Sequence, residues 1–172
     1  MPYGDKPFGL RDVKITNMAG DTQVDLPAAR TLSFTERIRS GELSGDDALK
    51  AIVAFAEAVE FSLESGGISL EAYALMTGRT ATESGTTPSQ TNTLSGAAGD
   101  VFPYIKIYGK SIGDGDDDLH VKLWKAKLTS IEGSFGEGEF FVTSASGVAM
   151  DDGSNGIWDI VQNETAASLP AT

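Results

Sequence analysis

From Lys50 to Ser65 the chain reads KAIVAFAEAVEFSLES, and the segment carries two periods at once. Ile52, Val53, Ala56 and Val59, set among alanines, make the apolar stripe of a helix. Val53, Phe55, Val59, Phe61 and Leu63 on one parity, with Ala54, Ala56, Ala58, Glu60, Ser62 and Glu64 on the other, make the alternation of a strand. The alternation leans towards the strand, which over residues 51–64 would run roughly 45 Å, well past the usual length. Just upstream, TLSFTERIRSGELSG (Thr31 to Gly45) opens with Leu32, Phe34 and Glu36 alternating against Ser33, Thr35 and Arg37. It then turns charged and ends in SGDD. Two β-compatible segments around a charged, Gly-containing tip predict an extended hairpin that overhangs its own domain. Such an overhang exposes backbone and side chains that seek a partner.

The remaining pattern is short strands between Gly- and Thr-rich punctuation. DVKITNM (Asp12 to Met18) predicts a strand and AGD a turn. In SGGISLEAYALMTG, Ser69 suits an N-cap, Leu70, Tyr73, Ala74 and Leu75 fill two turns, and Gly78 closes a helix. RTATESGTTPSQTNTLSG has little to bury; it reads as a linker or as a solvated hairpin around Gly85 to Pro88. FPYIKIYGKSI and LHVKLWKAKLTSI predict strands, the second with a parity shift past Trp124 that signals a bulge. GEFFVTSASGVAM and GIWDIVQNE complete the set. The expectation is a mainly β, single domain over residues 1–172: a β-sandwich or small barrel of about eight strands, a long protruding hairpin and one short α-helix at about 69–77. The ends, about 1–9 and 167–172 (the latter ASLPAT), are expected to be flexible.

Charge changes the picture most. Twenty-five acidic residues against thirteen basic give −12 over 172 residues. A chain that grips nucleic acid neutralises phosphates with Lys and Arg, and this one would mostly repel them. There is no cysteine, which removes disulfide and thiolate chemistry. The start, MPYGDKPFGLRD, has no basic and apolar leader pattern, and the longest apolar run, Ala51 to Ala56, is too short to span a bilayer. GDGDDD (Gly113 to Asp118) clusters carboxylates that suit calcium, but lacks the EF-hand spacing; an acidic turn is the plainer reading. His120 is the single histidine, without an assured nucleophile or acid beside it, and reads as structural. Asp46 and Asp47 sit where turn chemistry expects them. GSFGEGEF has neither a Walker lysine nor a dinucleotide fingerprint. No catalytic, cofactor or metal residues are singled out, and an enzyme is not expected.

Several stretches, taken in order, resemble the major tail tube proteins of long-tailed (siphovirus-like) bacteriophages. They are GDD…EAVEFSLESGGISLEAYALMTG (Gly45 to Gly78), GTTP (Gly85 to Pro88), FPYIKIYGKS, HVKLWKAKL and GEGEFFVTSASGVAMDDGSNGIWDIVQNETA. Together they cover roughly residues 10–166. The resemblance implies a small sandwich or barrel with one flanking helix, a virion protein assembled in the host cytoplasm into stacked hexameric rings. The tube would conduct DNA without binding it tightly, with tape measure, tail terminator and tail-tip proteins as partners, no membrane and no cofactor. It also implies that the segment before the helix is a strand whose large parity (Val53, Phe55, Val59, Phe61, Leu63) faces the core. Burying those five would contribute on the order of 10 kcal/mol before entropy is subtracted. The small, acidic parity, Ala54, Ala56, Ala58, Glu60, Ser62 and Glu64, would then face the lumen. Acidity gives DNA no holding site there, but six copies at −12 each oppose ring closure. Glu36, Arg37, Arg39, Glu42, Asp46 and Asp47 mix both signs at the hairpin tip and are candidates for pairing with a neighbour. The alternatives are a tail terminator or type VI-like tube subunit on the same fold, or a calcium- or carbohydrate-binding sandwich using GDGDDD and Trp124 or Trp158.

Overall fold

A computed structural model describes residues 7–26, 28–45, 48–67, 69–112 and 117–169. Among them run β1 (Phe8–Asn17), β2 (Gln23–Asp25), β3 (Ala29–Gly45), β4 (Ala48–Ser65), α1 (Leu70–Thr77), β5 (Ala81–Ser84), β6 (Thr91–Leu94), β7 (Ile105–Ile112), β8 (Asp118–Ser134), β9 (Val142–Ala149) and β10 (Trp158–Asn163). Eight strands make one antiparallel sheet in the order β2-β1-β7-β8-β9-β4-β3, with β10 also beside β8. β5 and β6 form a separate hairpin. The fold is therefore mainly β with one short helix. The sheet ends in β2 and β3 without closing into a barrel.

The long β8 belongs to two layers. Its first part, 118–123, pairs with β7 on one side and β10 on the other, while 126–134 pairs with β9. The change falls at the bulge past Trp124, where the ladder slips between Ile107↔Leu123 and Ile105↔Ala126. A bulge sharpens local twist, which lets one strand turn from one layer into the next. Between the layers, Val13 and Ile15 of β1, Ile105 and Ile107 of β7, Leu123 and Leu128 of β8, and Val59, Phe61 and Leu63 of β4 form a single core. Ala72 and Met76 of α1 cap it. Ser69 accepts from the Ala72 N–H at 3.2 Å and Gly78 ends the helix in the left-handed region (φ 71°), the caps expected for this stretch.

Two expectations are corrected. The parity of β4 is not continuous. Cross-strand partners share a face, and the register runs Phe61↔Phe34, Val59↔Glu36, Arg37↔Ala58, then Ile38↔Ala56, leaving Glu57 as an extra residue. Beyond that bulge the large residues change sides: Val53 and Phe55 share the face of Ala58 and Glu60, while Ala54 and Ala56 share that of Val59 and Phe61. Val59, Phe61 and Leu63 are buried as expected; Val53 and Phe55 remain 64% and 54% exposed. The chain end also differs. Residues 167–169 of the expected loose tail are held down: the Ala167 N–H donates to Asp118, its carbonyl accepts from Lys110, and Leu169 is buried. Of the expected loose start, residues 1–6 lie outside the described residues, and β1 already begins at an exposed Phe8. The short β2, which pairs Val24 with Ile15, carries too few residues to show a period and was missed.

Candidate functional site

Two surfaces built by β3 and β4 stand out. The first is the hairpin itself. β4 leaves β9 after Val59↔Ala149, yet the β3–β4 ladder continues from Arg37↔Ala58 to Gly45↔Ala48 with no third strand beside it among the described residues. Nine residues of β3 thus project about 30 Å beyond the sheet. The projection is apolar on both faces. On face one, continuous with the core side, lie Ile38 and Glu42 opposite Ala56 and Ile52, with Ala54 between and Leu49 nearest the turn. On face two lie Arg37, Arg39, Gly41 and Leu43 opposite Ala58, Phe55, Val53 and Ala51. Ile38, Leu43, Leu49, Ile52, Val53 and Phe55 are each more than half exposed. Six such side chains on one projecting ladder exceed the scattered exposure that a monomer surface tolerates.

Glu57 and Ala58 meet at the bulge beside Arg37, whose guanidinium bridges Glu57 (3.3 Å) and Glu60 (3.7 Å). These pairs are exposed and contribute under about 1 kcal/mol each. Glu36 accepts a hydrogen bond from Trp158 Nε1 at 3.3 Å and so belongs to the body. Arg39 and Glu42 are exposed on the projection, on opposite faces. Asp46 and Asp47 lie outside the described residues. Of the six expected tip residues, the structure therefore places Arg37, Arg39 and Glu42 on the overhang.

The second surface is the outer face of β3, β4, β9 and the far half of β8. By register it presents Thr31, Ser33 and Thr35, then Glu64, Ser62 and Glu60, then Ser144, Ser146 and Val148, then Glu132, Ser130 and Lys127. Hydroxyls and carboxylates dominate it, and Ser33, Glu60, Ser62 and Ser146 line an open groove of about 410 Å³. Glu64 pairs with Arg30 at 3.1 Å. Of the six residues expected to form one small, acidic face, Glu60, Ser62 and Glu64 lie here. Ala58 adjoins them but is buried, while Ala54 and Ala56 fall on the hairpin's other face. Sequence reasoning did not assign Thr31, Ser33 and Thr35 of β3 or Ser144 and Ser146 of β9 to this face. In β3 they alternate with Leu32 and Phe34, whereas in β9 the opposite parity is only Thr143, Ala145, Gly147 and Ala149 and gives no signal.

The acidic stretch GDGDDD ends in a strand. Residues 113–116 lie outside the described residues, but Asp118 is a buried strand residue, its side chain fully enclosed. Its carboxylate takes Lys110 Nζ at 2.9 Å, Asn163 Nδ2 at 2.6 Å and the Ala167 N–H at 2.7 Å. His120 Nε2 lies 3.2 Å away without making a hydrogen bond. Burial would push the Asp118 carboxyl up; the donors from Lys110, Asn163 and Ala167, with His120 beside it, outweigh that and hold it well below the usual carboxylate range. A carboxylate so committed has no coordination to offer calcium. His120 is buried against it. Both tryptophans are likewise packed, Trp158 tilted against Phe34 (5.8 Å) and Trp124 edge-on to Tyr108 (6.2 Å). No grouping of three metal-ligating side chains occurs among the described residues. No helix among them is long and apolar enough to cross a membrane.

No protein-family model matches this sequence, and no curated protein matches it either.

Proposed function

We propose that this chain is a structural subunit that assembles with copies of itself into a tube, as its resemblance to phage tail tube proteins implies. In that reading it forms stacked hexameric rings in the tail of a virion, assembled in the host cytoplasm. It conducts DNA without gripping it, meets tape measure, terminator and tail-tip proteins, and has no catalytic role. The observation that supports this most is the projecting β3–β4 ladder with large apolar residues exposed on both faces. Covering six half-exposed side chains would contribute on the order of 5–10 kcal/mol before the cost of ordering and association. Repulsion between copies at −12 and the cost of association both draw on that gain. The outer face of β3, β4 and β9 suits a bore: short hydroxyl side chains leave it open, and Glu60, Glu64 and Glu132 outnumber Lys127 there, with Arg37 and Arg30 already paired to Glu60 and Glu64.

Electron microscopy of the purified protein, at low and high salt and after concentration, tests the reading. Hollow tubes or stacked rings with six subunits are the expected result. A ring that stops at one layer would favour a terminator instead. Monomers at every concentration and salt, alone and with tail-tip complexes added, would refute self-assembly.

A further inference from the structure

We propose that the β8–β9 loop, residues 135–141, is the surface on which face two of the hairpin docks, the hairpin belonging to a second copy of this chain. The inference deepens the self-assembly reading above and rests on it. Its starting point is topology. β9 pairs antiparallel to β4, with Thr143 against Ser65, and β8 ends where Ser134 meets Val142. The β8–β9 loop therefore sits at the Ser65 end of β4. The hairpin turn sits at the Ala48 end, roughly 55 Å away along the strand. One chain thus carries two different apolar projections at opposite poles. Unlike patches at opposite poles cannot close a two-fold dimer through a single shared patch; they join head to tail.

The two poles are also matched in chemistry. The loop exposes Phe135 and Phe140, 80% and 90% accessible, and Phe135 leans on Phe141 at 5.3 Å. At its base Leu70, Tyr73, Leu94, Gly133 and Phe141 line a mainly apolar cleft of about 270 Å³, wide enough for an entering side chain, with Arg79, already paired with Asp100 at 2.8 Å, on its wall. The same pole is acidic: Glu132, Glu137 and Glu139 flank the phenylalanines, and no Lys or Arg follows Lys127 anywhere in the chain. Face two of the hairpin is the complement. Leu43, Val53 and Phe55 supply apolar surface there, with Arg39 beside them and Lys50 at the second bulge, while Arg37 is already held by Glu57 and Glu60. Face one carries Glu42 and no basic residue, so charge selects between two faces of similar hydrophobicity. The aromatic contacts would set the strength of the joint and the charges its orientation.

The absence of cysteine from the sequence makes the test direct. Single variants Leu43→Cys, Val53→Cys and Phe55→Cys are each mixed with Phe135→Cys or Phe140→Cys and treated with a short bismaleimide. All these positions are exposed, so the folded monomer tolerates the changes. The expected result is a mixed cross-link from face two to the loop, absent when Ile160→Cys on β10 replaces the loop variant. Glu137→Lys with Glu139→Lys should reduce its yield at least tenfold, and Arg39→Glu with Lys50→Glu in the partner should restore it. Cross-linking from Ile38→Cys or Ile52→Cys on face one instead, or no mixed product, would overturn the proposal. Tubes without the mixed cross-link would sink this contact and leave the tube reading standing. The cross-link in closed dimers or single rings would keep the contact and sink the tube.

Discussion

Replacing Asp118 puts the buried polar network to a quantitative test. Its carboxylate is enclosed and satisfies the Lys110 ammonium, the Asn163 amide and the Ala167 N–H together, while Lys110 is itself only 16% exposed. Asp118→Ala would strand a nearly buried cation and two donors. Breaking one partner of a buried pair costs about 3–5 kcal/mol, and each orphaned donor adds to the same penalty. For a chain of 172 residues, at about 3 °C per kcal/mol, the midpoint of thermal unfolding should fall by about 10–15 °C. Asp118→Asn keeps the volume and one acceptor and should cost about 2–3 kcal/mol. The pH dependence has a definite sign. The folded carboxyl lies below its ordinary value of 3.8, so the unfolded chain binds the proton more readily. The stabilisation is present above that ordinary value and is lost as pH falls from about 4 towards the folded value. Circular dichroism melts of dilute monomer at pH 7, repeated from pH 5 down to 2.5, read both effects. An Asp118→Ala protein melting within two degrees of the parent would refute the network argument. So would an Asn variant that loses stability below pH 4 as steeply as the parent.

The parity switch at Glu57 makes two phenylalanines of one strand behave differently. Phe61→Ala should cost about 3–5 kcal/mol by chemical denaturation, whereas Phe55→Ala should change monomer stability by less than about 1 kcal/mol and show its loss in assembly. Equal costs would mean that both face the core. Gly147→Ala should be the more damaging of two glycine substitutions. Its new Cβ would stand 2.2 Å from the Lys127 carbonyl oxygen and 2.8 Å from the Phe61 ring, whereas at Gly109 the nearest obstacle, at 2.5 Å, is a Leu32 methyl that can turn away. Differential scanning fluorimetry should show losses of about 3 and about 1 kcal/mol, and a reversed order would contradict the packing. Ser69→Ala removes the side-chain cap on the Ala72 N–H and should cost about 1 kcal/mol in urea titration, with Ser69→Asp nearly neutral.

Elements whose causes lie within a few residues could be read from the sequence alone. The cap of Ser69, the left-handed Gly78 and the bulge past Trp124 each follow from adjacent side chains and stand where expected. Of linker and solvated hairpin, the two readings of the Thr-rich stretch, the β5–β6 hairpin is the one found. So do the burial of Val59, Phe61 and Leu63 and the overhanging hairpin itself, because a two-residue period needs no partner to be seen. Alternation alone could not show where the period breaks. The extra residue at Glu57 exists only relative to β3, whose Arg37 and Ile38 pair across it, and that offset sent Val53 and Phe55 outwards. Asp118 was misread for the same reason. Its partners Asn163 and Ala167 lie 45 and 49 residues away, and only the pairing of β8 with β10 brings them to one carboxylate. The two poles of the molecule are likewise a product of the antiparallel order β8-β9-β4. Local sequence sets period, caps and turns through short-range sterics and hydrogen bonds. Which face is wet, and which charges meet, depends on neighbours that only the folded sheet supplies.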